Sequence, residues 1–199
     1  FFPGSESGGN YVLSNLRQDR YDEYAFTVRQ SLPNQYEWLA SYVHSHAVSN
    51  AVLDISIDQT LQVSNNFGPV PWDSPNRFLS EGYLPIHLPH LNPDNWALAY
   101  LADWRSGFPF SVVTPANQVI GTVDSLRFGS NFDLNLHIER RFNFLRYRWA
   151  IRLGANNVTD HRNATAVNNV LGSPNYLQYY GNEGRHLVVR IRLFGRVKR

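Results

Sequence analysis

Apolar and polar residues alternate along much of the chain, and a period of two is the pattern of half-buried β-strands. In DLNLHIERRF (133–142), for example, Leu134, Leu136 and Ile138 fall on one face, and charged or amide residues dominate the other. No segment has the period of an amphipathic helix. The pattern therefore predicts an all-β fold with seven strands: Tyr21–Leu32, Tyr36–His46, Asn76–Leu88, Trp96–Phe108, Asp133–Phe142, Tyr147–Asn156 and Arg185–Phe194.

The connections between these strands alternate in length. Short connections cover 33–35, 89–95 and 143–146, and long loops cover 47–75, 109–131 and 158–185. Compact soluble domains seldom carry several long loops, whereas outer-membrane barrels combine short periplasmic turns with long extracellular loops. The alternation predicts antiparallel up-and-down strands of a transmembrane β-barrel, with the short turns on the periplasmic side.

The apolar face of the predicted strands is expected to contact outer-membrane lipid. Pairing Phe142 with Tyr147 across the 143–146 turn keeps the apolar residues of both strands on one face and places Glu139 diagonal to two arginines. In this register Arg140 faces Trp149 on the apolar side. The residues predicted to face lipid are Leu136, Ile138, Ile151, Leu153, Val189 and Ile191.

Tryptophans mark the ends of this apolar face. Trp38, Trp96 and Trp149 each lie near the start of a strand that leaves a short turn. Trp104 shares the face of Trp96 and lies about 20 Å further along the membrane normal at the usual strand tilt. These four residues are the predicted aromatic girdle. A β-sandwich that buries the same aromatic residues between two sheets is the alternative.

Composition limits the possible partners. The chain has 18 Lys and Arg against 16 Asp and Glu, and Lys198 is its one lysine. Most arginines alternate with apolar residues in strands, so a nucleic-acid partner is not expected. Zero cysteines exclude disulfides and thiolate metal sites. The absence of methionine and the start at Phe1 lead us to expect a piece of a longer polypeptide.

Candidate catalytic chemistry is sparse. His44 with His46, and His87 with His90, give fewer ligands than a zinc site needs. No nucleophile elbow or phosphate-binding glycine loop occurs. The sequence therefore predicts no enzyme activity, no metal and no cofactor.

The long loops are better candidates for function. Aromatic rings beside asparagines suit recognition of a sugar or peptide, although asparagine, glycine and proline also simply build turns. The residues predicted to contact a small ligand are Trp72, Tyr176, Tyr179 and Tyr180.

Several stretches carry motifs that are fairly specific to one family in combination. They are PWDSPNRF (71–78), WALAYLADWRSGFPFSVV (96–113), NLHIERRF (135–142), RWAIRLGANNVTDHRN (148–163) and VNNVLGSPNYLQYYGNEGRHLVVRIRLFGR (167–196). Within them, GANNVTD (154–160) contains an asparagine, then an apolar residue, then a turn-forming polar pair. This order matches the pattern at the end of the family's penultimate strand. These stretches resemble the C-terminal strands of TonB-dependent outer-membrane receptors, most closely the type with an N-terminal carboxypeptidase-regulatory-like domain.

The resemblance implies that residues 1–199 are the C-terminal part of a barrel of about 22 strands with an internal plug. It also implies uptake of a scarce nutrient across the bacterial outer membrane, energised by contact with TonB through an N-terminal region outside this chain. The chain departs from the family pattern at its last strand. Family members commonly end that strand with an aromatic residue at or near the C-terminus, whereas here Gly195–Arg199 follow the matching residue, Phe194. A plug-less outer-membrane channel and a soluble carbohydrate-binding β-domain are the alternatives.

Overall fold

The computed structural model describes residues 17–33, 36–51, 61–63, 67–86 and 95–196, and these form β-strands, turns and loops with no α-helix. The strands are β1 (Asp19–Leu32), β2 (Tyr36–Ser49), β3 (Gly68–Pro69), β4 (Asn76–Pro85), β5 (Trp96–Arg105), β6 (Pro109–Phe110), β7 (Leu126–Arg127), β8 (Asn131–Phe144), β9 (Tyr147–Asn156), β10 (Ala166–Val167), β11 (Tyr179–Tyr180) and β12 (His186–Arg196).

The seven long strands form one antiparallel sheet in the order β1-β2-β4-β5-β8-β9-β12, and β3 adds to the end of β2. Each of the five inner long strands is therefore hydrogen-bonded to the long strand that precedes it and to the one that follows it in the chain. This confirms the predicted all-β, antiparallel, up-and-down arrangement. Among the described residues, the sheet is open, and the outer edges of β1 and β12 have no further strand.

The short and long connections leave opposite ends of the sheet, as their alternation predicts. Residues 33–35, 86–95 and 145–146 connect strands at one end, which we call the short-turn rim. The described parts of the loops 50–75, 106–130 and 157–185 lie at the other end, the long-loop rim. The two-residue strands β3, β6, β7, β10 and β11 all lie within these loops. β6 pairs with β7 and β10 with β11, so two of the loops have internal pairing that the sequence pattern did not predict, whereas β3 pairs with β2.

The β8–β9 hairpin differs from the predicted register by two residues. Phe144 pairs with Tyr147, and Phe142 pairs with Trp149, so the turn is the two residues Leu145 and Arg146. Their φ angles are 49° and 64°, as a type I′ turn requires. A shift of two residues leaves every side chain on its predicted face, which is why the faces were predicted correctly and the pairing was wrong.

Replacing Leu145 and Arg146 with asparagine and glycine is expected to stabilise the protein. Residues with a Cβ adopt positive φ at a cost of about 1–2 kcal/mol each, and Asn-Gly is the preferred type I′ pair. The double variant Leu145→Asn, Arg146→Gly should therefore raise the free energy of unfolding by about 1–2 kcal/mol in urea titrations.

The matched control for this variant is Leu145→Ala, Arg146→Ala. It removes the same side chains but keeps two Cβ atoms at positive φ, so it should give no gain. An equal gain in both double variants would show that the turn geometry is not the cause.

Candidate functional site

One face of the sheet is mainly apolar from β1 to β12, although the charged residues Arg20, Asp22 and Arg140 also lie on it. In its middle, Leu98, Ile138, Leu153 and Val189 follow one another across four paired strands. The six residues predicted to face lipid all lie on this face. Side chains well inside the sheet remain uncovered, and Leu153, Tyr42 and Phe78 are 49%, 42% and 40% exposed. A contiguous exposed apolar surface of this extent marks a site of interaction with an apolar partner.

The four girdle tryptophans share this face, and three of them follow an oblique line across the sheet. Trp38 on β2 begins a row of directly paired residues that crosses the sheet to β9. The later residues of this row are Gly82, Tyr100, Leu136 and Ala155. Along the strands, Tyr100 lies four residues from Trp96, and Ala155 lies six residues from Trp149.

The offset of these tryptophans along the strands gives the inclination of the line that joins them. Six residues span about 20 Å of strand, and the four strand-to-strand steps from β2 to β9 span about 19 Å of sheet. The line through Trp38, Trp96 and Trp149 is therefore inclined by about 45° to the direction of the inter-strand hydrogen bonds. Trp104 lies eight residues from Trp96 on the same strand, toward the long-loop rim.

The opposite face of the sheet carries most of the charged residues, and Glu139 on β8 is its most buried charged side chain, at 4% exposure. Its carboxylate accepts hydrogen bonds from Arg152 Nη2 at 2.8 Å and from Arg141 Nε at 3.0 Å. Arg141 also donates to the hydroxyl of Tyr83 at 2.9 Å. Glu139 lies directly opposite Arg152 rather than diagonal to it, and Arg140 faces Ile151 and stacks on Trp96 at 5.1 Å instead of facing Trp149.

The long loops are fixed to the sheet by Asp73, whose side chain is fully buried. Its Oδ1 accepts the Ala47 backbone N–H at 2.8 Å, and its Oδ2 accepts a hydrogen bond from the Arg127 guanidinium. Arg127 also donates to the carbonyls of Asp73 at 2.9 Å and Gly107 at 3.2 Å. One ion pair thus joins the 70–75 segment, the β6–β7 loop and the end of β2.

The loops also contact one another. The rings of Phe110, Phe128 and Tyr179 form a cluster with centroids 5.1 to 6.5 Å apart. Asn169 donates to the carbonyl of Ser111 at 2.7 Å, which joins the last long loop to the one before it. Burial raises the pKa of the nearby Asp124 carboxyl, although the Ser111 hydroxyl and the charge of Arg127 oppose this shift.

The strand end that carries the GANNVTD segment is closed by asparagine side chains. Asn157 is buried and donates to the carbonyls of His161 at 2.9 Å and Glu183 at 3.1 Å. Asn163, also buried, bonds both the N–H and the carbonyl of Phe132. Asn163 thus connects the last long loop to β8, and Asn157 joins the two ends of that loop, so both amides hold the loop in place.

The predicted ligand contacts are not gathered around one cavity. Trp72 is 55% exposed and lines a cleft of about 490 Å³ that is bounded by Arg77, Arg105 and Phe108 and contains none of the three tyrosines. Asp73 N–H donates to the Val70 carbonyl at 2.9 Å, so Trp72 is presented on a turn anchored by Asp73. Tyr179 belongs to the aromatic cluster, its neighbour Tyr180 is 52% exposed, and Tyr176 is half-buried.

The part of the chain that the structure describes holds no group of three or more His, Asp or Glu side chains placed to bind a metal ion. His44 instead forms a hydrogen bond with Asn76 at 3.0 Å, and His87 and His90 lie outside the described residues. Within the described ranges, no helix is long and apolar enough to cross a membrane.

Comparisons with protein-family models, with curated proteins and with solved structures found no match.

Proposed function

We propose that the chain is part of the wall of a transmembrane β-barrel in the bacterial outer membrane, and that this barrel is a receptor that takes up a scarce nutrient with energy supplied through TonB. The uncovered apolar face of the sheet carries the proposal. Each Å² of apolar surface left in water forgoes about 25 cal/mol, and lipid chains would cover this face without any second layer of protein. The resemblance of its strands to those of TonB-dependent receptors supplies the class of transporter.

The positions of the tryptophans support a tilted sheet in a bilayer. Aromatic side chains of a membrane barrel lie at the level of the lipid headgroups, so a line through them lies in the membrane plane. The line through Trp38, Trp96 and Trp149 is inclined by about 45° to the inter-strand hydrogen bonds, which corresponds to a strand tilt of about 45°. Outer-membrane barrels have strand tilts of about 35–45°.

The two outer edges of the sheet require partners under this proposal. Unpaired backbone N–H and C=O groups in hydrocarbon cost several kcal/mol each, so no barrel leaves a strand edge in lipid. Further strands must therefore pair with the free edges of β1 and β12 in the complete barrel wall.

The two alternative functions differ from the proposal in what covers the apolar face or in whether TonB is needed. A soluble carbohydrate-binding β-domain needs a second sheet over the apolar face. Among the described residues, Leu153, Tyr42 and Phe78 are exposed on that face, which disfavours such a domain. A plug-less channel would have the same lipid-facing wall but would work without TonB.

Growth of the source bacterium on single scarce nutrients tests the proposed function. Deleting the coding segment should impair growth on at least one nutrient as strongly as loss of TonB does, and the intact gene should restore growth. A nutrient defect that is independent of TonB would favour the channel. No defect on any nutrient, with the protein recovered outside the membrane fraction, would contradict the proposal.

A further inference from the structure

A polar cavity of about 470 Å³ lies at the short-turn rim, where β8, β9 and β12 end. The register brings Asn143 opposite Arg148, and Arg148 opposite Gly195. A bulge between Leu193 and Gly195 shifts the pairing of β12 by one residue, and Gly195 has a φ of 118° that suits glycine. The polar residues that line the cavity are Asn95, Arg141, Asn143, Arg148 and Arg196.

The lining is strongly cationic. Three of its side chains are guanidiniums and two are amides, and no carboxylate of the described residues lines it. Glu139, outside the cavity, is shared by Arg141 and Arg152, so one negative charge serves two arginines. Arg148 and Arg196 have no carboxylate partner among the described residues, and Arg196 lies over the ring of Tyr147 at 6.0 Å. The cavity therefore has a surplus of positive charge and of N–H donors.

We propose that this cavity binds a phosphate group. A guanidinium presents several N–H donors in a planar fork that matches phosphate and carboxylate oxygens. Here arginines from three different strands line one cavity, and a phosphate has more oxygens to share among them than a carboxylate has. Asn95 and Asn143 can add neutral amide donors from the same wall.

The phosphate has two possible sources, a lipid headgroup or a free phosphate ion. The lipid source rests on the proposed function, because the short-turn rim would then lie at the level of the headgroups. On the apolar side of this rim, Arg140 stacks on Trp96 at 5.1 Å, which suits the boundary between hydrocarbon and headgroups. The cavity is also larger than a phosphate ion needs, which leaves room for a glycerol or a similar substituent.

Native mass spectrometry of the whole chain in neutral detergent tests the site with three probes: dioctanoyl phosphatidylglycerol, dioctanoylglycerol and inorganic phosphate. We expect the phosphatidylglycerol to bind and the phosphate-free lipid not to bind. Arg148→Gln and Arg196→Gln should each weaken binding about tenfold or more, since each removes charge-assisted hydrogen bonds. Arg190→Gln is the matched control, because Arg190 is also an exposed arginine of β12 but does not line the cavity.

The probes separate the two sources. Binding of inorganic phosphate as strongly as the lipid, with the same sensitivity to Arg148→Gln, would support the site and assign it to free phosphate. Equal binding by the wild type and both cavity variants, or an equal loss in Arg190→Gln, would overturn the proposal. The phosphate titration is repeated without detergent, so a protein that proves not to enter membranes still gives a result for this site.

Discussion

Replacing Leu153 with arginine is expected to lower the free energy of unfolding by about 2–4 kcal/mol in a phospholipid bilayer. Leu153 lies on the apolar face between Ile138 and Val189 and is 49% exposed, so the larger side chain has space. The loss comes from placing a charge in hydrocarbon. Urea unfolding of the complete barrel in lipid vesicles, with its further strands paired to β1 and β12, measures this loss through tryptophan fluorescence.

The control is Leu101→Arg, the same substitution on the opposite face of the sheet. Leu101 pairs with Glu81 and Asn135 on the polar face, where an added arginine would meet water and a carboxylate. The expected change is within about 0.5 kcal/mol. Equal effects of the two variants would contradict the assignment of one face to lipid and the other to water.

Replacing Asp73 with alanine is expected to release the long loops from the sheet. Breaking a buried ion pair by removing one partner costs about 3–5 kcal/mol, and we expect about 2–3 kcal/mol because Arg127 is 31% exposed. The backbone N–H of Ala47 also loses its acceptor. Amide hydrogen exchange at Ala47, Val113 and Val119 should accelerate on the order of 50-fold, since these amides are protected by contacts at this end of the sheet.

Asp103→Ala is the matched control for this variant. Asp103 also pairs with an arginine, Arg77, at 2.8 Å, but the side chains of these two residues are 25% and 51% exposed. Such a pair contributes about 1 kcal/mol or less. If Asp103→Ala accelerated exchange in the loops as much as Asp73→Ala, the buried ion pair would not be what holds them.

The strands could be predicted because apolar and polar residues alternate along them, and this alternation assigns each residue to one face of the sheet. The predicted strand Tyr147–Asn156 has the same bounds in the structure, and the predicted Tyr36–His46 extends three residues further, to Ser49. The hairpin register could not be predicted in the same way, since a shift of two residues preserves both faces. It depends on the positive φ angles at Leu145 and Arg146, which are residue types seldom chosen for such a turn.

The contacts within and between the long loops could not be predicted from the sequence pattern, for a different reason. Asp73 and Arg127 are 54 residues apart, and neither lies in a periodic segment that would suggest a pairing. Two-residue strands such as β6 and β11 are too short to show a period. The sequence predicts Tyr179 as a ligand contact because its ring lies in a long loop beside asparagines, and only the folded loops show that this ring packs against Phe110 and Phe128.

Spin labelling of β12 in the complete barrel, reconstituted into lipid vesicles, distinguishes the side of this strand that faces lipid from the side that faces water. The chain has no cysteine, so single cysteines at Val188, Val189, Arg190 and Ile191 would each carry one label. We expect collisions with oxygen in the bilayer at positions 189 and 191 and collisions with a water-soluble nickel complex at positions 188 and 190. Equal access to the nickel complex at all four positions would contradict it.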